Sequence, residues 1–303
     1  MKESPHVERP HAEMSASGAH RWVHCQASIP LAKALGAVGR TSAAADEGTM
    51  AHDLSEQLLR GEIEYSDVPA AFRPHIKKYV DECQAIAASG DISWIEAEVP
   101  LYYSKSEMAY LDFAVLDTTN KTLWIRDLKY GQGKVVDAEY NEQLTIYAYS
   151  LVCHLMGDYR EFFEDELFKV NVGIVQPRGR SGNPIKVWEV SLPELKEEAD
   201  KIEEAYKSIK AADGDWNKLP FNCAKNVCMF CPIKQSHKVI CPEMERQAME
   251  GFQDLTLHDV ESMSDGVKLK KDIPKKIEQD LIGWSDEKLL AWYMAADNIQ
   301  ASA

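Results

Sequence analysis

The sequence predicts an α/β protein, a mixed sheet flanked by helices, from three observations. Strand-like apolar runs follow one another at about 94–104, 108–117 and 122–129. A segment of helical spacing at 137–156 then precedes two more strand-like runs, 168–177 and 185–190. Between the second and third runs, Thr118-Thr119-Asn120-Lys121 has turn chemistry suited to a hairpin. Strands and helices in that order make a sheet with helices packed on it and acidic side chains on its central strands.

The elements follow in order. Residues 1–10 read as a mobile tail. Helices are predicted over about 17–35 and 42–60, and near 70–88. The last carries Phe72, Ile76, Tyr79, Val80 and Cys83 on its apolar side, which places Cys83 in the core. In the 137–156 helix Leu144, Tyr147, Ala148, Leu151 and Leu155 share one side, and Cys153 is also expected in the core. Ser191-Leu192-Pro193-Glu194 is a capping-box start. It opens a helix with Leu195, Ala199, Ile202, Tyr206 and Ile209 in register, ended by Asp213-Gly214-Asp215. Residues 221–242 read as a loop-rich, cysteine-rich lobe. Residues 243–303 read as a helical appendage broken at Gly266 and Pro274. The expected organisation is thus tail, core over 11–220, lobe and appendage.

A chain of 303 residues can bury a sizeable core. No apolar stretch approaches the roughly 20 residues of a membrane span. The opening Met1-Lys2-Glu3-Ser4-Pro5-His6 lacks the apolar stretch of a signal peptide, so a cytoplasmic location is expected. There the 7 cysteines are reduced, and Cys-x-x-Cys reads as metal, cluster or redox chemistry before disulfide. The net charge of -15 speaks against a generic nucleic-acid binder. It leaves room for a local basic lining, for which Lys129, Lys134, Arg178 and Arg180 are candidates.

The candidate chemistry centres on Asp127-Leu128-Lys129, at the end of the apolar run Leu123-Trp124-Ile125. Residues i and i+2 of a strand share a face, so Asp127 and Lys129 point the same way. The hairpin brings Asp112 beside them. Two carboxylates can hold a hard divalent cation. Such a cation polarises a phosphate and lowers the pKa of bound water, and an ammonium steadies the developing charge. By itself Asp-x-Lys equally describes a solvated surface pair. Glu98 is a further candidate acid, read equally well as a solvated strand-end residue.

The segment beginning Tyr140-Asn141-Glu142-Gln143 adds Gln143 and Tyr147, four apart and so neighbours on a helix. An acid on a hairpin, then D-x-K, then Q-x-x-x-Y resembles the RecB-like nucleases of the PD-(D/E)XK superfamily. Gly48 followed by His52 is similar to that family's early helix, whose histidine reaches the metal. Cys25, then Cys228-Met229-Phe230-Cys231-Pro232 and Cys241-Pro242, resemble the family's iron–sulfur branch. The opening from His11 through Trp22 and Cys25 is most similar to an uncharacterised phage and prophage family in that branch. The chain departs from the pattern at Ala109, where the family has glycine. It departs again at Cys241-Pro242, which arrives four residues late, with His237 at the usual position.

The resemblance implies a restriction-endonuclease-like α/β/α core and a metal-dependent deoxyribonuclease, an exonuclease acting on DNA ends or single strands in phage recombination or processing. Asp112 and Asp127 would hold Mg²⁺ or Mn²⁺ with His52 and the Leu128 carbonyl. Lys129 would orient the nucleophilic water, positioned by Gln143 and Tyr147. Cys25, Cys228, Cys231 and Cys241 would hold a 4Fe–4S cluster, with His237 and Cys223 as competitors for the fourth position. DNA is the expected partner, with a recombination protein as a second; no membrane is expected. Two other readings stay open: a non-catalytic DNA-binding or scaffold protein, and an interaction protein with a local Zn²⁺ site at Cys228, Cys231, His237 and Cys241.

Overall fold

The structure is a computed structural model that describes residues 12–39, 43–180, 182–236 and 241–253. The expectations for the 1–10 tail, His237, Gly266 and Pro274 lie outside these residues. The described chain forms two units, residues 12–31 with 43–220 and residues 32–39 with 221–253.

The first unit is built on a five-stranded sheet in the order β1 (Ile92–Leu101), β2 (Ser104–Asp117), β3 (Thr122–Leu128), β4 (Lys169–Val175), β5 (Ile185–Ser191). The β3–β4 pair is parallel and the others antiparallel, which makes the sheet mixed. A parallel pair needs a long crossover, and the helix α5 (Glu142–Phe163) supplies it between β3 and β4. The β2–β3 turn is closed by Asp117, whose two carboxylate oxygens accept from the Asn120 backbone N–H and side-chain amide at 2.8 Å each. Lys121 there takes a positive φ of 52°.

Side chains alternate between the two faces of the sheet. Phe113, Val115, Leu128 and Val175 pack into one core with α3 (Ala43–Leu59) and α4 (Arg73–Ala87), through Ala51, Ile76, Tyr79, Val80 and Cys83. The opposite parity, which includes Asp127, faces α5. There Leu144, Ala148, Leu151 and Val152 are buried. The helix α6 (Leu192–Ala211) packs beside α5 and against β4 and β5. Its N-cap Ser191 accepts from the Glu194 N–H, as the capping box requires.

The predicted first helix, 17–35, is two helices: α1 (Ala19–His24), after a 3-10 turn, and α2 (Ser28–Ala34). Pro30 explains the break. A continuous helix would set its ring against the Gln26 carbonyl, whereas Pro30 sits comfortably in the first turn of a helix starting at Ser28. Trp22 anchors α1; it is fully buried and its Nε1 donates to the Ser15 carbonyl at 2.9 Å. Cys83 is in the core as expected, but Cys153 is exposed. Two residues beyond Leu151, it points to the opposite side of α5 from the apolar stripe. Among the described residues no helix is long and apolar enough to cross a membrane.

Gly90, between α4 and β1, shows how tightly this face closes. A Cβ there would stand 2.0 Å from Cγ1 of the fully buried, β-branched Val115. Gly90→Ala is expected to cost about 1–3 kcal/mol of stability through overpacking, read as a lower midpoint in urea unfolding. An unchanged midpoint would show that this approach is looser than described.

In the second unit, short helices α7 (Lys225–Cys228) and α8 (Pro232–Ser236) precede α9 (Pro242–Gln253). Four cysteines, 223, 228, 231 and 241, lie in this segment.

Candidate active site

The β2–β3 pairing ends at Phe113 and Arg126, and a side chain continues it. Asp112 Oδ2 accepts from the Leu128 N–H at 2.8 Å. This bond holds the Asp112 carboxylate across β3, next to Asp127, whose side chain is on the same face. Lys129, just beyond β3, is fixed by its N–H to the Val175 carbonyl at 2.9 Å. Its ammonium turns back to lie 2.7 Å from Asp127 Oδ2.

Gln143, in the first turn of α5, locks the group. Its Oε1 accepts from Lys129 Nζ at 2.9 Å. Its Nε2 donates to Asp127 Oδ1 at 3.1 Å and to the Tyr147 hydroxyl at 2.8 Å. The amide can serve a cation on one side and an anion on the other only in this orientation. Burial, then the nearby Asp127 and Asp112, hold the Tyr147 hydroxyl well above the ordinary tyrosine range, so it stays protonated. From α3, His52 Nδ1 lies 3.1 Å from Asp112 Oδ1.

The electrostatics split the two acids. Burial works to raise the Asp112 carboxyl, but His52, the Leu128 N–H and Lys129 together hold it below the usual range. For Asp127, burial and the neighbouring Asp112 charge outweigh Lys129, and its carboxyl is pushed up. Desolvation lowers the His52 imidazole, yet the Asp112 charge and hydrogen bond, with Asp127 behind, overcome it and carry the ring to about 9. The ring nonetheless keeps 38% of its side-chain surface, so it remains reachable from solvent.

The donors here, two carboxylates and an imidazole, are of types that divalent cations take. Asp127 is 2% exposed, and its Oδ2 has no hydrogen-bond donor despite the close Lys129, whose approach is off the bonding direction. That oxygen is left without a hydrogen bond, with the Lys129 ammonium as its close charge. Carboxylate oxygens with one imidazole, and the carbonyl of Leu128 at the strand end, suit Mg²⁺ or Mn²⁺.

Without divalent metal, protonated His52 stabilises the fold. Its folded pKa of about 9 lies above the unfolded value near 6.5. The contribution is full below about pH 6.5 and is lost as pH rises through about 9. In EDTA the melting temperature of wild type should exceed that of His52→Gln by several degrees near pH 6, with the gap closing by about pH 10. A gap that widens with pH would reverse the assignment.

The other predicted residues divide. Glu98 lies in the body of β1 opposite Tyr110, whose hydroxyl donates to it at 3.2 Å; it is exposed, as the solvated reading requires. Arg178 is engaged elsewhere, stacked on Tyr130 at 4.5 Å and paired with Glu47 at 2.8 Å. Lys134 and Arg180 are exposed. Cys25 caps the C-terminus of α1 in the first unit. In the second, Cys223 lies near both Cys228 and Cys241, close enough for their thiols to influence one another. The neighbouring Cys223 thiol, with the Met244 and Glu243 N–H groups at the start of α9, draws the Cys241 thiol down to about 6. Cys223 thus shares a site with two of the predicted cluster ligands. Its Cys223-x4-Cys228 spacing was the signal for it. Sequence reading missed a further convergence, of His20, His24 and Glu142.

Fold and site together define a mixed-sheet α/β protein whose central strands bring two aspartates beside a lysine. The chain belongs to the family described as protein of unknown function DUF2800, whose model matches residues 11–283. Among solved structures, the crystal structure of SSO0001 is similar at 17% identity, covering 63% of this chain and 84% of that one with a TM-score of 0.29. An overlay that loose carries no argument about this protein.

Proposed function

We propose that this protein is a divalent-metal-dependent deoxyribonuclease of the PD-(D/E)XK type, an exonuclease acting on DNA ends or single strands. The observation that carries the reading is the Gln143 amide, which ties Lys129 to Asp127 while Asp112 is held alongside through the Leu128 N–H. A solvated surface pair would need no such lock. Asp112 and Asp127, with His52 and the Leu128 carbonyl, would hold Mg²⁺ or Mn²⁺. When bound, the cation supplies charge to polarise the phosphate and acidify water. Lys129 orients the attacking water and stabilises charge developing on the phosphate oxygens. Gln143 and Tyr147 keep the ammonium aimed, and the buried face below the acids excludes bulk water. The expected setting is the cytoplasm of a bacterial host, in phage DNA recombination or processing beside a recombination protein.

The test incubates purified protein with labelled linear duplex, linear single strand and circular single strand, each with Mg²⁺, Mn²⁺ or EDTA. The reading expects metal-dependent shortening of a linear substrate and sparing of the circle. Cutting of the circle would replace exonuclease by endonuclease. No cleavage of any substrate in either metal would favour the non-catalytic DNA-binding protein.

The 4Fe–4S assignment of Cys25, Cys228, Cys231 and Cys241 rests on the sequence resemblance. The nearness of Cys223 to Cys228 and Cys241 favours a second reading, a local Zn²⁺ site in the 221–242 segment. Protein purified without oxygen should be brown, with about four iron and four sulfide per chain, and Cys25→Ser should bleach it. Stoichiometric zinc that survives Cys25→Ser but not Cys223→Ser would establish the local site instead.

A further inference from the structure

His20 and His24 are four residues apart on α1, so their rings leave the helix on one side. Glu142, in the first turn of α5, meets them there. His20 Nδ1 lies 3.2 Å from Glu142 Oε1 and 3.3 Å from Oε2, and His24 Nε2 lies 2.6 Å from Oε1. One ligand atom from each of the three lies within 4.8 Å of the others. A tetrahedral zinc ion with bonds of about 2.0–2.2 Å holds its ligand atoms roughly 3.3–3.6 Å apart. The observed spacings reach that range with small side-chain rotations. Two imidazoles and one carboxylate are zinc ligands more than magnesium ligands.

We propose that His20, His24 and Glu142 form a zinc site with an open fourth position, which uses neither the Asp112 and Asp127 acids nor the cysteines as ligands. The carboxylate is the anchored member, its side chain 16% exposed, while the imidazoles are 41% and 44% exposed and leave the fourth position to water or an anionic group. Bound zinc would pin α1 to the start of α5. Adjacent helix residues face different directions, so Glu142 turns to α1 while Gln143 turns to Lys129. The inference does not depend on the nuclease reading.

The test uses the full chain, with zinc alone as the probe. Wild type, His24→Ala and Glu142→Gln are loaded, dialysed and analysed for zinc, and affinity is measured against a chromophoric chelator. Far-UV circular dichroism confirms folding, and either folded variant decides the question. Wild type should hold one zinc more than the variants, or bind that equivalent at least about 100-fold more tightly, since even outer partners of ligands are worth about 10–100-fold. Zinc bound only at the cysteines would be equal in all three. Equal content and affinity in wild type and a folded variant would overturn the proposal.

Discussion

Asp127→Asn lowers the single-turnover rate of Mn²⁺-dependent DNA cleavage by about 10³-fold or more, the size expected when several kcal/mol of metal assistance is lost. An amide of the same shape keeps an acceptor for the Gln143 Nε2 but carries no charge for a cation. Folding should not suffer. Asp127 is buried beside Asp112, and its raised pKa means that ionising it costs stability at neutral pH. In EDTA the variant should therefore melt at or above wild type. Loss of activity with a collapsed melting temperature would make the residue structural, and cleavage at the wild-type rate would remove β3 from the mechanism.

Lys129→Met separates chemistry from metal binding. The ammonium acts on water and on developing charge, so turnover should fall by about 10²–10³-fold. Mn²⁺ affinity should hold or improve, because the ammonium 2.7 Å from Asp127 Oδ2 competes with a cation for that oxygen. Calorimetry of Mn²⁺ binding beside single-turnover rates reads both. Weaker metal binding with normal turnover would contradict the role given to Lys129.

Much of this site was legible in the sequence because its parts are local. The Asp127–Lys129 face follows from strand alternation. Asp112 follows from a hairpin of turn residues, and the Gln143–Tyr147 pair from helical spacing. The bonds that join them needed the fold: Asp112 to the Leu128 N–H, and Gln143 across to Lys129. His20, His24 and Glu142 were illegible for the same reason, since the first two are 122 and 118 residues from the third. The break between α1 and α2 was readable in Pro30. Helical periodicity masked it, because apolar spacing is blind to a missing N–H. Cys153 failed because it falls on the exposed side of α5, about 200° round the helix from Leu151. Glu98 lies on β1 with one oxygen bonded to the Tyr110 hydroxyl, a cross-strand partner that the register had to reveal.

The central claim is that the Asp112, Asp127 and Lys129 site cleaves DNA. Its most direct measurement is the rate of cleavage of end-labelled linear DNA in Mn²⁺, by wild type and Asp127→Asn prepared in parallel so that a contaminating nuclease would appear in both. Wild type should cleave rapidly, EDTA should abolish that cleavage, and the variant should show none. Equal cleavage by both preparations, or none by metal-loaded wild type on any DNA end or single strand, would contradict it.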